Sequence, residues 1–261
     1  MASRPGDLAD ALGVRLGDVV SLVGGGGKTS LALRLAAELA GQGVAVVFTV
    51  TTRIHPPPLP LVLVQEDAIR AFRRVRSLLR QGPVCVAGRP GPQGKLLGVE
   101  PDAVARLADL AGVVVVEADG AAGRPLKFPL AHEPVIPPCT TLVVAVAGAS
   151  VVGQPLDSRW VHRAEAAAAW LGEAAGLGEV RPGMAVTPEM VAAVLAHPDG
   201  AARGRPARAR LAVAINQADS PERLMAARAV AGALVGRGVQ RVVLTSARGE
   251  VPVVERVVSV P

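Results

Sequence analysis

The stretch DVVSLVGGGGKTSLALRLAAELA, residues 18–40, decides the fold. DVVSLV (18–23) is short, apolar and β-branched, as a buried strand should be, and SLALRLAAELA (30–40) has helical periodicity up to Gly41 and Gly43. Between them stands Gly24-Gly25-Gly26-Gly27-Lys28-Thr29. A glycine turn between strand and helix exposes backbone N–H groups, and the helix N-terminus adds partial positive charge. The pattern predicts a phosphate loop that includes Ser30. Lys28 would reach the β and γ phosphates, and the Thr29 hydroxyl would ligand Mg²⁺. The longer GxxxxGK[ST] loop needs glycine where Leu22 stands, so this is the shorter GxxGKT form. That form resembles the loop of the Mur ligases, and its spacing alone leaves a ligase and an NTPase switch both open.

Strand and helix patterns alternate beyond this unit. Strands are expected at 44–50, 83–88, 113–116, 141–148, 210–216 and 239–246, the last of these ending the chain's regular structure. Helices are expected at 66–80, 101–111, 158–172, 188–196 and 220–236, while the prolines of TTRIHPPPLP (51–60) argue against regular structure there. This alternation predicts one P-loop NTPase-like α/β domain over residues 1–261. Its mostly parallel sheet would be covered by helices on both faces, with a helical insertion around 158–209. Ligands of such sheets bind at the carboxyl ends of strands, and the polar motifs fall there.

VVVV-Glu117-Ala118-Asp119-Gly120 brings two carboxylates to the end of a strand. Spaced two apart, they point the same way and can complete an Mg²⁺ site or orient water. Glu117 with Gly120 resembles a DxxG switch. Arg124 and Lys127 follow as candidates to meet substrate, although a solvated basic loop explains them nearly as well. Thr51, Thr52 and Arg53 end the second strand as switch or substrate candidates, and His132 and Glu133 are two more. Asn216-Gln217-Ala218-Asp219 matches a GTPase NKxD box with Gln for Lys, and Ser246-Ala247 ends the next strand where GTPases carry an SA loop. Asn216 is the sole asparagine in the chain. This pair favours GTP over ATP as the ligand.

Composition narrows the classes. Half of the 261 residues are hydrophobic and 19% are charged, ample for a packed core. No apolar run reaches the length of a membrane span, and the opening MASRPGDLADALG carries no signal-peptide pattern. With Cys85 and Cys139 the only cysteines, a cytoplasmic setting is expected. The net charge of +6 raises nucleic acid as a minor partner; there is no Tyr for base stacking, and the one arginine run is Arg203, Arg205, Arg208 and Arg210. The 28 basic residues comprise 25 Arg and three Lys, namely Lys28, Lys95 and Lys127. In a chain so biased to Arg, the surviving lysines mark sites where a compact ammonium is required.

Taken in order, GGGGKTS, TTRIHPP, EADGAAGRPLKFP, HEPVIP, VVGQPL…VHR and NQAD resemble the YqeC family across about residues 17–246. The resemblance implies an accessory role in the maturation of a selenium-dependent molybdenum hydroxylase or its cofactor, with the hydroxylase or another maturation protein as partner. It leaves the chemical step open between hydrolysis, γ-phosphoryl transfer to a small acceptor, and nucleotide binding without turnover. A homodimer is expected by analogy with P-loop switches that complete their sites across an interface.

Overall fold

The computed structural model describes residues 7–64 and 68–258. Nine strands form its main sheet: β1 (Val19–Gly24), β2 (Val46–Val50), β3 (Leu61–Leu63), β4 (Val84–Ala87), β5 (Val113–Glu117), β6 (Leu142–Gly148), β7 (Arg210–Asn216), β8 (Arg241–Thr245) and β9 (Val253–Val258). Their order is β9-β8-β7-β6-β1-β5-β2-β4-β3, parallel throughout except for β9 against β8. The helices are α1 (Leu8–Leu12), α2 (Lys28–Gly41), α3 (Ala68–Leu78), α4 (Ala103–Ala108), α5 (Ala164–Glu173), α6 (Pro188–Ala196) and α7 (Pro221–Gly236).

The central strands β1, β5 and β6 are buried along their whole length, as expected for parallel strands covered on both faces. The cover is uneven. One face packs under α1 and α2 through residues such as Leu31, Leu35 and Phe48. The other packs under α3 to α7 through Val75, Leu107, Leu171, Leu195 and Val230. Residues 158–209 belong to this second core: α6 packs along α7, and Val191 and Leu195 are as buried as the strands.

Several expectations need correction. Residues 51–60 are not wholly irregular, because Arg53–Ile54 pairs antiparallel with Leu96–Leu97. The helix expected from residue 158 begins at Ala164; before it Val161–His162 pairs with Leu126–Lys127, and Arg163 takes φ 68°. A long-range pairing overrides local helical preference there. The strand at β8 is not the last, since β9 closes the sheet's edge. The expected helix start at 66–67 lies outside the described residues. Within the arginine run, Arg205 donates to the Ala209 carbonyl, and Arg210 holds the Asp18 carboxylate at 2.6 Å. Among the described residues no helix is long and apolar enough to cross a membrane.

Candidate functional site

The order β5-β1-β6-β7 brings the loop after β1, the acids after β5 and the box after β7 to one end of the sheet. Leu22 is registered against Glu117, and Asn216 against Gly148. The loop is set by close approach. Gly24 has φ 95°, and a Cβ there would lie 2.3 Å from the Val146 carbonyl oxygen. Gly26 has φ 70°, and its Cβ would lie 2.1 Å from the Gly148 nitrogen. No side chain fits either place.

The N–H groups of Gly25 and Gly26 do not turn toward a ligand as the sequence suggested. They donate to the carbonyls of Val146 and Arg124 at 2.8 and 3.0 Å, which anchors the loop to its neighbours. The donors left for an anion are the Gly27 N–H and those of α2's first turn. Leu31 N–H is bonded back to Gly27, so Lys28, Thr29 and Ser30 precede the first intrahelical bond.

Charge is concentrated beneath this turn. Lys28 Nζ donates to the Gly24 carbonyl at 2.6 Å and lies 3.0 Å from Asp119 Oδ1. Asp119 Oδ2 accepts the Gly24 N–H and lies 3.2 Å from Lys127 Nζ, which in turn is 3.1 Å from Glu133. Arg163 closes the row on Glu133. Asp119 Oδ1 and Lys127 Nζ sit at ion-pair distance but in no aligned hydrogen bond. Burial disfavours the Glu133 carboxylate, yet Arg163 and Lys127 outweigh it and hold its pKa down to about 2. The His162 imidazole is pushed down by burial, with Arg163 and Lys127 adding to the effect.

Glu117 faces the other way along the loop. Its Oε2 accepts the Thr29 hydroxyl at 2.7 Å. Burial pushes this carboxyl up, and Lys28 and Thr29 only partly offset that. A hydroxyl and a buried carboxylate in contact at the start of α2 form an oxygen donor pair suited to Mg²⁺. Asp119, expected in the metal site, is instead the counter-ion of two lysines. Lys127, expected to meet substrate, is fully buried in the charge row.

A cleft of about 240 Å³ opens over the loop, lined by Lys28, Thr29, Glu117, Arg53, Lys95 and Arg124 among others. Arg124 is tethered to the Ser158 and Ala122 carbonyls. Thr51 is structural, donating to the Val135 carbonyl at 2.7 Å, and Thr52 is half-buried. His132 is exposed and lines neither this cleft nor the one beside it.

The neighbouring pocket, about 340 Å³, is lined by Gly27, Ser30, Asn216, Asp219, Ser246 and Ala247, as the sequence grouped them. Asn216 is the staple. Its Nδ2 donates to the Gly26 carbonyl at 2.8 Å, and its Oδ1 accepts from Ala247 N–H at 3.0 Å and from Thr245 at 3.2 Å. The Ala247 N–H is therefore engaged within the protein. Asp219 is about half exposed and paired with Arg223 at 2.7 Å.

Sequence reasoning left out Lys95 and His55 in the phosphate cleft, and Ser150, Arg223 and Arg248 in the pocket beside it. The scarcity of lysine was the one available signal, and it marked Lys95.

Comparison with known proteins places the chain in a family. A family model described as YqeC protein matches residues 20–165, which include the loop, the two acids, Lys127, Glu133 and Arg163. The Escherichia coli (strain K12) protein named "Uncharacterized protein YqeC" is 32% identical over 212 residues, spanning 80% of this chain and 79% of its own length. With the match running from the phosphate loop through the charge row, the chain belongs to the YqeC family.

Proposed function

We propose that this chain is a cytoplasmic, Mg²⁺-dependent P-loop protein that binds and turns over a nucleoside triphosphate. The observation that carries the reading is the Thr29–Glu117 contact at 2.7 Å on the first turn of α2, beside a buried Lys28. Thr29 and Glu117 would hold the cation, which supplies positive charge to the phosphates when bound. Lys28 would exchange its place on Asp119 and Gly24 for the β and γ phosphates. That exchange is favoured because the Lys28–Asp119 pair is buried without an aligned hydrogen bond.

The base-side pocket supports guanine over adenine through Asp219, a preference made modest by that residue's exposure. The family resemblance supports the pathway: maturation of a molybdenum hydroxylase or its cofactor. Purified protein with Mg²⁺ should release phosphate from GTP, and Lys28→Ala should abolish the release; equal turnover in the variant would refute the assignment. In cells, loss of the chain should lower molybdenum-hydroxylase activity, restored by the wild type and not by Lys28→Ala.

A further inference from the structure

One wall of the phosphate cleft carries cations that the nucleotide reading does not use. Arg53, His55 and Lys95 line it, and among the described residues their side chains make no hydrogen bond or ion pair. The other cationic groups there are engaged: Lys28 with Asp119, and Arg124 with two carbonyls. Among the described residues, Glu117 is the single acid lining the cleft.

The wall is a built feature. Arg53 and Ile54 pair with Leu97 and Leu96, so His55 and Lys95 come next on either side of the ribbon. Ile54 and Leu96 are buried in the same core as α2, fixing the ribbon beside the loop. A Cβ on Gly98 would lie 2.4 Å from the Thr51 backbone, and one on Gly88 would lie 2.3 Å from the Gly98 oxygen. The turn that carries Lys95 is closed at the same residue. Its carbonyl accepts the Gly91 N–H at 2.7 Å, and its N–H donates to Pro92 at 3.2 Å. The backbone is thus held tightly while a half-buried ammonium is left without an acceptor, beside an unpaired guanidinium. A planar fork and a point charge together suit a dianionic oxyanion, with the imidazole adding a donor or acceptor.

We propose that Arg53, His55 and Lys95 form a second anion site in this cleft, which takes a small phosphate-bearing ligand facing the end of the nucleotide's phosphate chain. The orientation rests on the nucleotide reading; the site itself does not. Such a placement sets a second substrate where an acceptor for the γ-phosphoryl would stand.

Calorimetric titration of inorganic phosphate into the full chain tests this in two backgrounds. With the loop saturated by Mg²⁺ and GDP, wild type should bind phosphate. Lys95→Ala and Arg53→Ala should each weaken that binding at least about tenfold, with GDP affinity changed less than about threefold in Lys95→Ala. In Lys28→Ala without nucleotide, phosphate binding should persist and be lost when Lys95→Ala is added. If GDP does not bind but this second pattern appears, the nucleotide reading fails and the anion site stands. Absence of phosphate binding in both backgrounds overturns the site. So does a Lys95→Ala variant that weakens GDP as much as phosphate, because the cations then serve the nucleotide. Acetate binding as tightly as phosphate overturns the phosphate class.

Discussion

The proposed phosphate half of the site, around Lys28, and the proposed base half, around Asp219, are built by different means. Around Lys28, glycines are jammed against backbone, and four buried or nearly buried charges run from Lys28 through Asp119 and Lys127 to Glu133. Around Asp219 the groups are polar, open and paired with near neighbours: Asp219 with Arg223 four residues on, and Ser220 with Glu222. Buried charges are costly unless held in place, so the first half is rigid by necessity. Exposed pairs contribute little, so apart from the buried Asn216 the second half can change without loss of fold. Under the proposed function, chemistry at the phosphates is therefore specified more tightly than identity of the base.

Glycine substitutions should separate the halves most sharply. Gly26→Ala puts a Cβ 2.1 Å from backbone at φ 70°. It should cost on the order of 4 kcal/mol, combining overpacking with left-handed strain. Gly249→Ala meets the Ser246 hydroxyl at 2.8 Å and no backbone atom nearer than the Ser246 carbonyl oxygen at 3.3 Å, with no left-handed backbone, and should cost below about 1 kcal/mol. Denaturant melts of both variants check the contrast.

Charge removal comes next. Lys127→Met leaves Asp119 and Glu133 buried without their shared cation and should destabilise by about 3 kcal/mol. Arg223→Met removes an exposed partner and should stay within about 0.5 kcal/mol. Equal losses in the two melts would break the distinction.

A pH titration of stability probes the same row. Glu133 is held at about 2 against an ordinary 4.5, so its ion pairs contribute fully above 4.5 and fade as pH falls toward 2. Glu133→Gln should lower stability at neutral pH by about 2 kcal/mol and flatten the curve in that acid window. The smallest effect belongs to the base half. The GTP-over-ATP preference should be about tenfold or less, and Asp219→Ala should bring the two nucleotides near parity in competitive titration.

The local unit was the most legible. A β-branched run, glycines and a helical repeat follow one another within residues 18–40, so strand, loop and helix could be read without distant information. The grouping of Asn216, Asp219, Ser246 and Ala247 was also legible, because each motif ends a strand and strand ends gather. What escaped depends on contacts far along the chain. Nothing near Asp119 announces that Lys127 and Lys28 would both close on it. Nothing near Val161 announces its pairing with Leu126, which displaces a start that the alanine-rich run favours. The Arg53–Leu97 pairing joins segments over forty residues apart, so Lys95 was marked by rarity alone.

The Thr29–Glu117 contact is the most direct point of attack. GTP affinity should be measured with and without Mg²⁺ in wild type, Thr29→Val and Glu117→Gln, each checked for folding by its melt. Mg²⁺ should tighten GTP binding at least about tenfold in wild type and by less than about threefold in either variant. Affinity indifferent to Mg²⁺ in wild type, or an undiminished Mg²⁺ effect in both variants, would contradict the proposed cation site.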